Sequence, residues 1–511
     1  MQPQRGGVFQ MVANRGLSNL NPVNQPGSNV GSYISGGLYD QLVDWEYTPE
    51  EDWRFASRIA PEIAESWEQP DQTSYVFHIR QGVKWHDGQP LTAADVVWSY
   101  QYIADPANRL PAGVNLKAMQ SIEAADDHTV RLKLKEPDVD FLRKLTNQSR
   151  LSILPKHVAD RGDSFEKVAI GTGAFKLESF QPDGLVVYAA NPEYWKPGKP
   201  YLEKWKMLAP ADEAARTAAF FVGQNDILKV AAKAQVDLVT AQIPDARIAT
   251  FPQENNVEMW LRLGKPPFDD LRVRQAIHLA LDRQAMISTL TSGDGLINPP
   301  GINGLYGNWA LPPAEYQSMP GWRQPKEQDL ARAKQLLAEA GHPNGLSFAI
   351  KSDRNNPNWP QVAEMAAGQL QAIGVNARLQ PGESAVITKA WVDGDYDALV
   401  ESMSSVQDWP SRLHSKGVNN SMPLRDPELD RLIEAQAREF DETKRTGLIR
   451  DVQRLLIKQS YSIATISFPG YLIQQPWVHG FVDNGGALPN NNDWGQLWLD
   501  PGRAPNRAIS H

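Results

Sequence analysis

From Leu346 to Leu379 the chain reads LSFAI, a polar connection, QVAEMAAGQLQAIG and VNARL. That order leaves little freedom in how the segment folds. The outer runs are short and apolar, as strands are, and the middle stretch has helical length and ends at Gly374. A strand that returns through a helix pairs in parallel with the first, and a parallel pair needs cover on both faces. The segment is predicted to be a βαβ unit at the heart of an α/β lobe, to which DALVESM adds a further strand.

The flanking sequence supports such a lobe. DDLRVRQAIHLALDRQAMISTL places Val273, Ile277, Ala280, Leu281 and Ile287 on one helical face, with Asp269 and Asp270 set to cap it. DLARAKQLLAEAGH carries Ala333, Leu336, Leu337 and Ala340 as a buried stripe and ends at Gly341. Glu428 to Ser460 is predicted as two more helices, the first opened by DPELD. Between these lies Pro299 to Pro325, a Pro/Gly-rich loop long enough to imply a functional or lobe-spanning role.

Earlier in the chain, TSYVFHIRQGV alternates Tyr75, Phe77 and Ile79 with Val76, His78 and Arg80, a half-buried strand ended by Gly82. In LTAADVVWSYQYI, Thr92 stands three residues before Asp95 as a capping box, and Val96, Val97, Tyr100 and Ile103 recur at helical spacing. Val130, Leu132 and Leu134 alternate with Arg131, Lys133 and Lys135 in another strand. FKLESF, FVGQNDILKV and QVDLVTAQIP read as short strand and helix pieces of a middle block, and the tail from about Gly480 has little pattern.

A length of 511 residues implies about three structural units. A net charge of −9 and the absence of any dense Lys/Arg run argue against nucleic acid as a partner. With no cysteine, disulfides, thiolate nucleophiles and Cys-held metals are excluded. No stretch reaches the roughly 18 apolar residues of a membrane span, and MQPQRGGVF lacks the apolar centre of a signal peptide, which fits a start after a removed export signal.

Enzyme signatures are absent: no GxSxG, HExxH, GxGxxG or phosphate-loop pattern occurs, and the 9 histidines form no pair at metal-ligand spacing. His86 and Asp87 in KWHDGQP could form an acid/base pair, but Asp-Gly is a turn dipeptide and the turn is the preferred reading. Gly171 and Gly173 in GTGAF read as a tight chain reversal rather than an anion cradle. No catalytic residue, cofactor or metal site is expected.

These same segments carry a resemblance. ESWEQPDQTSYVFHIRQGVKWHDGQPLTAADVVWSY from Glu65 is similar to the characteristic segment of the family 5 extracellular solute-binding proteins, the peptide, nickel and opine receptors of ABC transporters. GTGAFKLESF from Gly171, NPEYW from Asn191, the run PFDDLRVRQAIHLALDR from Pro267 and GDYDA from Gly394 follow in that family's order, and SNLNP at Ser18 to Pro22 matches its mature N-terminal region.

The resemblance implies an α/β, two-lobed periplasmic-binding-protein fold of type II, large cluster, with an extra subdomain inserted in the first lobe. Lobe I would comprise residues 1–37, 156–262 and 476–511, the inserted subdomain 38–155, and lobe II 263–475. The chain would cross near Leu263 and near Tyr471, returning as Phe481 to Leu499. A solute held between the lobes would drive their closure by its higher affinity for the closed state. The closed form would then hand the solute to a membrane permease. A monomer is expected, exported to the periplasm or the outer face of the cytoplasmic membrane, with a lipid anchor as one form of that location.

By the same resemblance, Asp408 in SMSSVQDWPSRLH matches the acid that receives a peptide's amino group, although family members often have Asp-Pro and here Trp409 intervenes. Against this stands a plain turn-capping role. Arg354 in SDRNNPN resembles the arginine that grips a ligand carboxylate in dipeptide-binding relatives, against the alternative of a solvated loop residue. Of the 16 tryptophans, Trp359, Trp391, Trp409, Trp494 and Trp498 lie in segments near the expected cleft, and Trp409 and Trp391 are the nominated stacking platforms. Asn19, Leu20, Asn21 and Gly173 are the first-lobe nominations.

Peptide-like solutes lead, because Asp408 supplies the acid a peptide needs. An oligosaccharide or opine stays as the alternative, since aromatic platforms suit sugars. A nickel chelate would look to His414, a lone loop histidine.

Overall fold

The computed structural model describes residues 2–504 apart from 14, 25–36, 46–58, 147–150, 210, 254–255, 404 and 482–493, with backbone alone at 252 and 304–306. Much of the tail from Gly480 therefore lies outside the described residues. The chain divides into two compact units, Met1–Val230 with Ala234–Thr250 and Tyr471–His511, and Phe251–Gly470 with Ala231–Lys233.

The first unit holds β1 (Val8–Val12), β2 (Val43–Trp45), β3 (Ile59–Pro61), β4 (Ala64–Asp71), β5 (Ser74–Ile79), β6 (Met119–Asp126), β7 (Thr129–Leu134), β8 (Phe175–Phe180), β9 (Val186–Ala190) and β10 (Lys204–Leu208). One four-stranded sheet has the order β4-β5-β7-β6 and is antiparallel throughout. Its β5 buries Tyr75, Phe77 and Ile79, and its β7 buries Val130, Leu132 and Leu134, as the alternation predicts. The helix Ala93–Ala104 beside it has the expected capping box at Thr92 and Asp95, and buries Val96, Tyr100 and Ile103 while Val97 is half-buried. A second sheet, β1-β10-β9-β8, pairs β1 with β10 in parallel and the rest antiparallel.

Three further strands, β11 (Ile227–Val230), β12 (Arg247–Pro252) and β18 (Pro469–Gln474), form a sheet in the order β11-β18-β12. The chain passes between units inside β12, at Thr250, and inside β18, at Gly470. Both passages thus run through adjacent strands, and a Cβ on Gly470 would stand 2.3 Å from the Phe251 ring.

The second unit is built on β13 (Asn256–Leu261), β14 (Leu346–Asp353), β15 (Val375–Gly382), β16 (Ala398–Met403) and β17 (Ser462–Ala464), in the order β15-β14-β16-β13-β17. β14 is parallel to both β15 and β16, which is the predicted βαβ arrangement closed by the helix Trp359–Leu370 and by Gly374 at φ 82°. The sheet is mixed rather than wholly parallel, because β13 runs antiparallel to β16 and β17. That pairing carries β13 into the second unit, so the first passage comes before Leu263.

Helices Leu271–Ala280, Glu327–Glu339 and Trp359–Leu370 cover one face with Val273, Ile277, Ala333, Leu336, Leu337 and Val362. The long helix expected from Asp269 is two helices, since Asp282 adopts an extended backbone and its carboxylate caps Arg283–Leu290 through the Ala285 amide. On the other face, helices Pro427–Arg438 and Glu442–Gln459 pack a second core around Trp260, Trp409, Leu429 and Leu456. The Pro299 to Pro325 loop is pinned from below by Arg283, whose guanidinium donates to the carbonyls of Ala464 and Gly321, each at 2.7 Å.

Candidate functional site

In an open α/β sheet the loops leaving the carboxyl ends of parallel strands are where ligands gather. Here β14, β15 and β16 are the parallel strands, and their carboxyl ends deliver Arg354, Glu383 and Asp408 respectively. Two of the nominated residues therefore leave neighbouring strands of one unit.

Asp408 closes the short turn Val406–Asp408 before the helix Trp409–Arg412. Its carboxylate is half-buried and takes a hydrogen bond from the Ser405 hydroxyl at 3.4 Å, with no ion pair among the described residues. Its main-chain carbonyl accepts from the Ser411 hydroxyl at 3.1 Å. Such a carboxylate keeps most of its acceptor capacity for a cation.

Trp409 is fully buried in the second unit's core, and its indole N–H donates to the Gly301 carbonyl at 2.7 Å. As placed it presents no ring face to a solute. Trp391 is half-buried, and together with Trp260 it flanks the Arg412 guanidinium at 5.5 and 5.4 Å from the ring centroids. Arg412 also donates to the Ser402 carbonyl at 2.9 Å. The motif W-P-S-R thus brings Asp408, Trp409, Arg412 and Trp391 into one neighbourhood. Arg412 is the member sequence reading passed over, and its spacing of four from Asp408 was the available signal.

Arg354 stands more than half exposed (54 %), 3.5 Å from the Glu383 carboxylate, and donates to the Pro381 carbonyl at 3.0 Å. Its charge is shared with its own unit's next strand end. Trp359 opens the helix that covers β14, against the core.

The first-unit nominations form local turns. Asn19 accepts from the Asn21 amide at 3.0 Å, Asn21 from the Val23 amide at 3.1 Å, and the Leu20 amide donates to Glu166 while its side chain is buried. The Gly173 carbonyl accepts from His86 Nε2 at 3.1 Å and from the Asn191 amide at 3.0 Å. His86 Nδ1 accepts in turn from the Gly171 amide at 3.1 Å, so its ring is the clip of that chain reversal. Burial lowers the His86 pKa to about 4, which keeps the ring neutral in this role. Asp87 meets His157 Nε2 at 2.8 Å.

His414 has both ring nitrogens engaged, Nε2 with Glu434 at 3.1 Å and Nδ1 accepting from the Lys416 amide at 3.0 Å. No group of three or more His, Asp or Glu able to hold a metal occurs among the described residues.

The family model for bacterial extracellular solute-binding proteins, family 5, matches residues 58–415. The chain belongs to that family. Family 5 relatives include the periplasmic oligopeptide-binding protein OppA of Salmonella typhimurium, 26% identical over 83% of this chain and 82% of that one. Another is heme-binding protein A of Haemophilus influenzae, 29% identical over 88% of this chain and 84% of the relative. Among solved structures, HbpA2 from Haemophilus parasuis superposes with a TM-score of 0.81 at 25% identity, covering 97% of this chain and all (100%) of its own. The two-lobed family 5 α/β fold expected from the motifs is therefore the fold of this chain, and no described helix is long and apolar enough to cross a membrane.

The second unit also holds a fully buried carboxylate that the motifs did not reveal. Glu258 on β13 accepts from the Gly301 amide at 2.7 Å and from Asn256 Nδ2 at 3.0 Å. Burial raises its pKa from 4.5 to about 7, against the pull of Ser462, Gly301, Asn256 and Arg412. At this group the folded protein keeps a proton that the unfolded chain loses, so the stability Glu258 contributes falls as pH rises from about 4.5 to about 7 and stays lower above. Glu258→Gln is expected to be more stable than the parent by roughly 2–3 kcal/mol at pH 8 and equal to it at pH 4. Thermal melts of both proteins at the two pH values check this, and an equal gap at both would refute the assignment.

Proposed function

We propose that this family 5 protein is the solute-binding component of an ABC importer for peptides or peptide-like solutes. It performs no covalent chemistry: it captures the solute by closure of its two units and presents it to a membrane permease. The observation that carries the ligand class is Asp408, a half-buried carboxylate past the carboxyl end of β16 with only a long hydrogen bond from Ser405 among the described residues. An ammonium placed against it would form the charge-assisted bond that the chain itself does not supply. The oligopeptide-binding relative accords with this class. The protein works as a monomer outside the cytoplasmic membrane, free in the periplasm or held at the membrane's outer face.

Native mass spectrometry of the purified protein, followed by identification of what it releases, is the direct test. A peptide of a few residues is expected, whereas a sugar, an opine, a nickel chelate or heme would keep the transport role and overturn the peptide assignment. With the ligand in hand, Asp408→Ala should weaken binding by about 30-fold or more, as loss of a desolvated charge partner does. Calorimetric titration reads this directly, and an unchanged affinity would remove Asp408 from the site.

A further inference from the structure

We propose that Glu258 is a positioning residue for the ligand-contacting segment, its protonation state setting through Gly301 where Trp409, and with it Asp408, stands. The proposal rests on Asp408 contacting the ligand, but its first readout needs no ligand.

The geometry is a relay through one residue. On β13, Asn256, Glu258 and Trp260 share a face by the strand's period of two, opposite Met403, Glu401 and Leu399 of β16 and alongside Ala464 and Ser462 of β17. Glu258 holds the Gly301 amide, and the carbonyl of the same Gly301 accepts the Trp409 indole. Asn256 secures the preceding turn through the Pro299 carbonyl at 3.0 Å. Gly301 has φ 83°, and a Cβ there would stand 2.7 Å from Leu456 Cδ1 and 3.3 Å from Trp409 Nε1. A side chain does not fit between the carboxylate and the indole, so main chain alone connects them.

The charged groups facing Glu258 are Glu401 across the ladder and Arg412 from the helix after Asp408. Neither forms an ion pair with it among the described residues, so its charge is balanced by the neighbouring Ser462 hydroxyl, the Gly301 and Asn256 donors and the more distant Arg412. An ionised carboxylate holds such donors more tightly than a neutral acid does. Ionisation therefore draws the Gly301 amide toward β13, and the hydrogen bond on the other side of that residue responds. Burial places this change near neutral pH rather than in acid.

The test uses the full chain labelled with nitrogen-15 at the indoles, with the Trp409 signal assigned by Trp409→Phe. In the parent protein that signal is expected to move between pH 5.5 and 8 with a midpoint near 7, and in Glu258→Gln it should be flat. A flat signal in the parent, or one that still moves in Glu258→Gln because Glu401 drives it, overturns the proposal. Titration with trialanine then reads the consequence: the parent's affinity should change several-fold over that range beyond what Glu258→Gln shows, and the variant should match the parent at pH 5.5. The peptide's own amino group titrates alike against both proteins, so the difference isolates Glu258. If trialanine binds neither protein at any pH, unsubstituted tripeptides are not among the chain's solutes, while the indole titration still decides the relay.

Discussion

Gly171→Ala is expected to destabilise the first unit by at least about 4 kcal/mol, at the upper end of single substitutions. A Cβ at that position would stand 1.7 Å from the Leu38 carbonyl oxygen and 2.6 Å from its carbon. Those are main-chain atoms in a fixed reversal: the Gly173 amide donates to Leu38 at 3.0 Å, and the Thr172 hydroxyl donates to buried Asp40 at 2.8 Å. Trp195 Nε1 donates to the same Asp40 carboxylate at 2.9 Å, so moving the 38–40 segment aside would break several bonds at once. Gly82→Ala is the control. It also departs from an ideal site, at φ 77°, but a Cβ there meets nothing within 4 Å, so only backbone strain of about 1 kcal/mol is expected. Melting temperatures of the two variants decide the matter. Equal values would mean that the GTGAF reversal is not clamped as described, whereas failure of Gly171→Ala alone to accumulate folded would support it.

The contrast between these glycines shows what local sequence conveys. Gly82 ends a strand and Gly374 ends a helical turn, and both were legible because each interrupts a periodic pattern at its own position. The alternation in β5 and β7 and the capping box at Thr92 were legible for the same reason: their causes lie within a few residues. Trp409 was not. It stands beside Asp408 in a motif that invites a stacking role, yet the carbonyl that takes its indole belongs to Gly301, 108 residues away in sequence. Glu258 was hidden in the opposite way. A glutamate inside N-V-E-M-W-L looks like a solvent-facing strand residue, and only the packing of β13 between β16 and β17 shows that every residue of that strand is buried. The family motifs reached further than the periodicities, since they indicated the fold and placed Asp408 and Arg354 near strand ends, but they carried no information on which side chains are already partnered within the unit.

Arg283→Met is expected to cost the second unit about 4 kcal/mol, because it leaves a buried polar network without its hub. Arg283 is almost completely buried, and besides its bonds to Ala464 and Gly321 it donates to His278 Nδ1 at 3.2 Å and lies 4.8 Å from the Trp322 ring centroid. His278 Nε2 donates onward to the Pro320 carbonyl at 3.2 Å, and fully buried Asp329 accepts from the Gly321 amide at 2.8 Å, Arg323 at 2.9 Å and Lys326 at 2.9 Å. Burial lowers the pKa of the guanidinium while Asp329 and Asp282 raise it. Removing this cation would take the Arg283 donor from the Ala464 carbonyl, leave the Gly321 carbonyl with Lys326 Nζ at 3.0 Å as its side-chain donor, and leave Asp329 less well balanced. Methionine fills most of the volume, so the loss reports the polar groups rather than a cavity. Arg283→Lys should recover only part of it, since an ammonium cannot span carbonyls that a planar fork reaches together. Because the same loop contains Gly301, whose carbonyl receives the indole of Trp409 beside Asp408, loosening it should also weaken solute binding while Asp408 remains in place. Thermal unfolding of the three proteins, with titration of the identified solute, separates the effects. A methionine variant melting within 2 °C of the parent, on a scale of roughly 2–4 °C per kcal/mol for a unit this size, would show that the loop is held by other contacts.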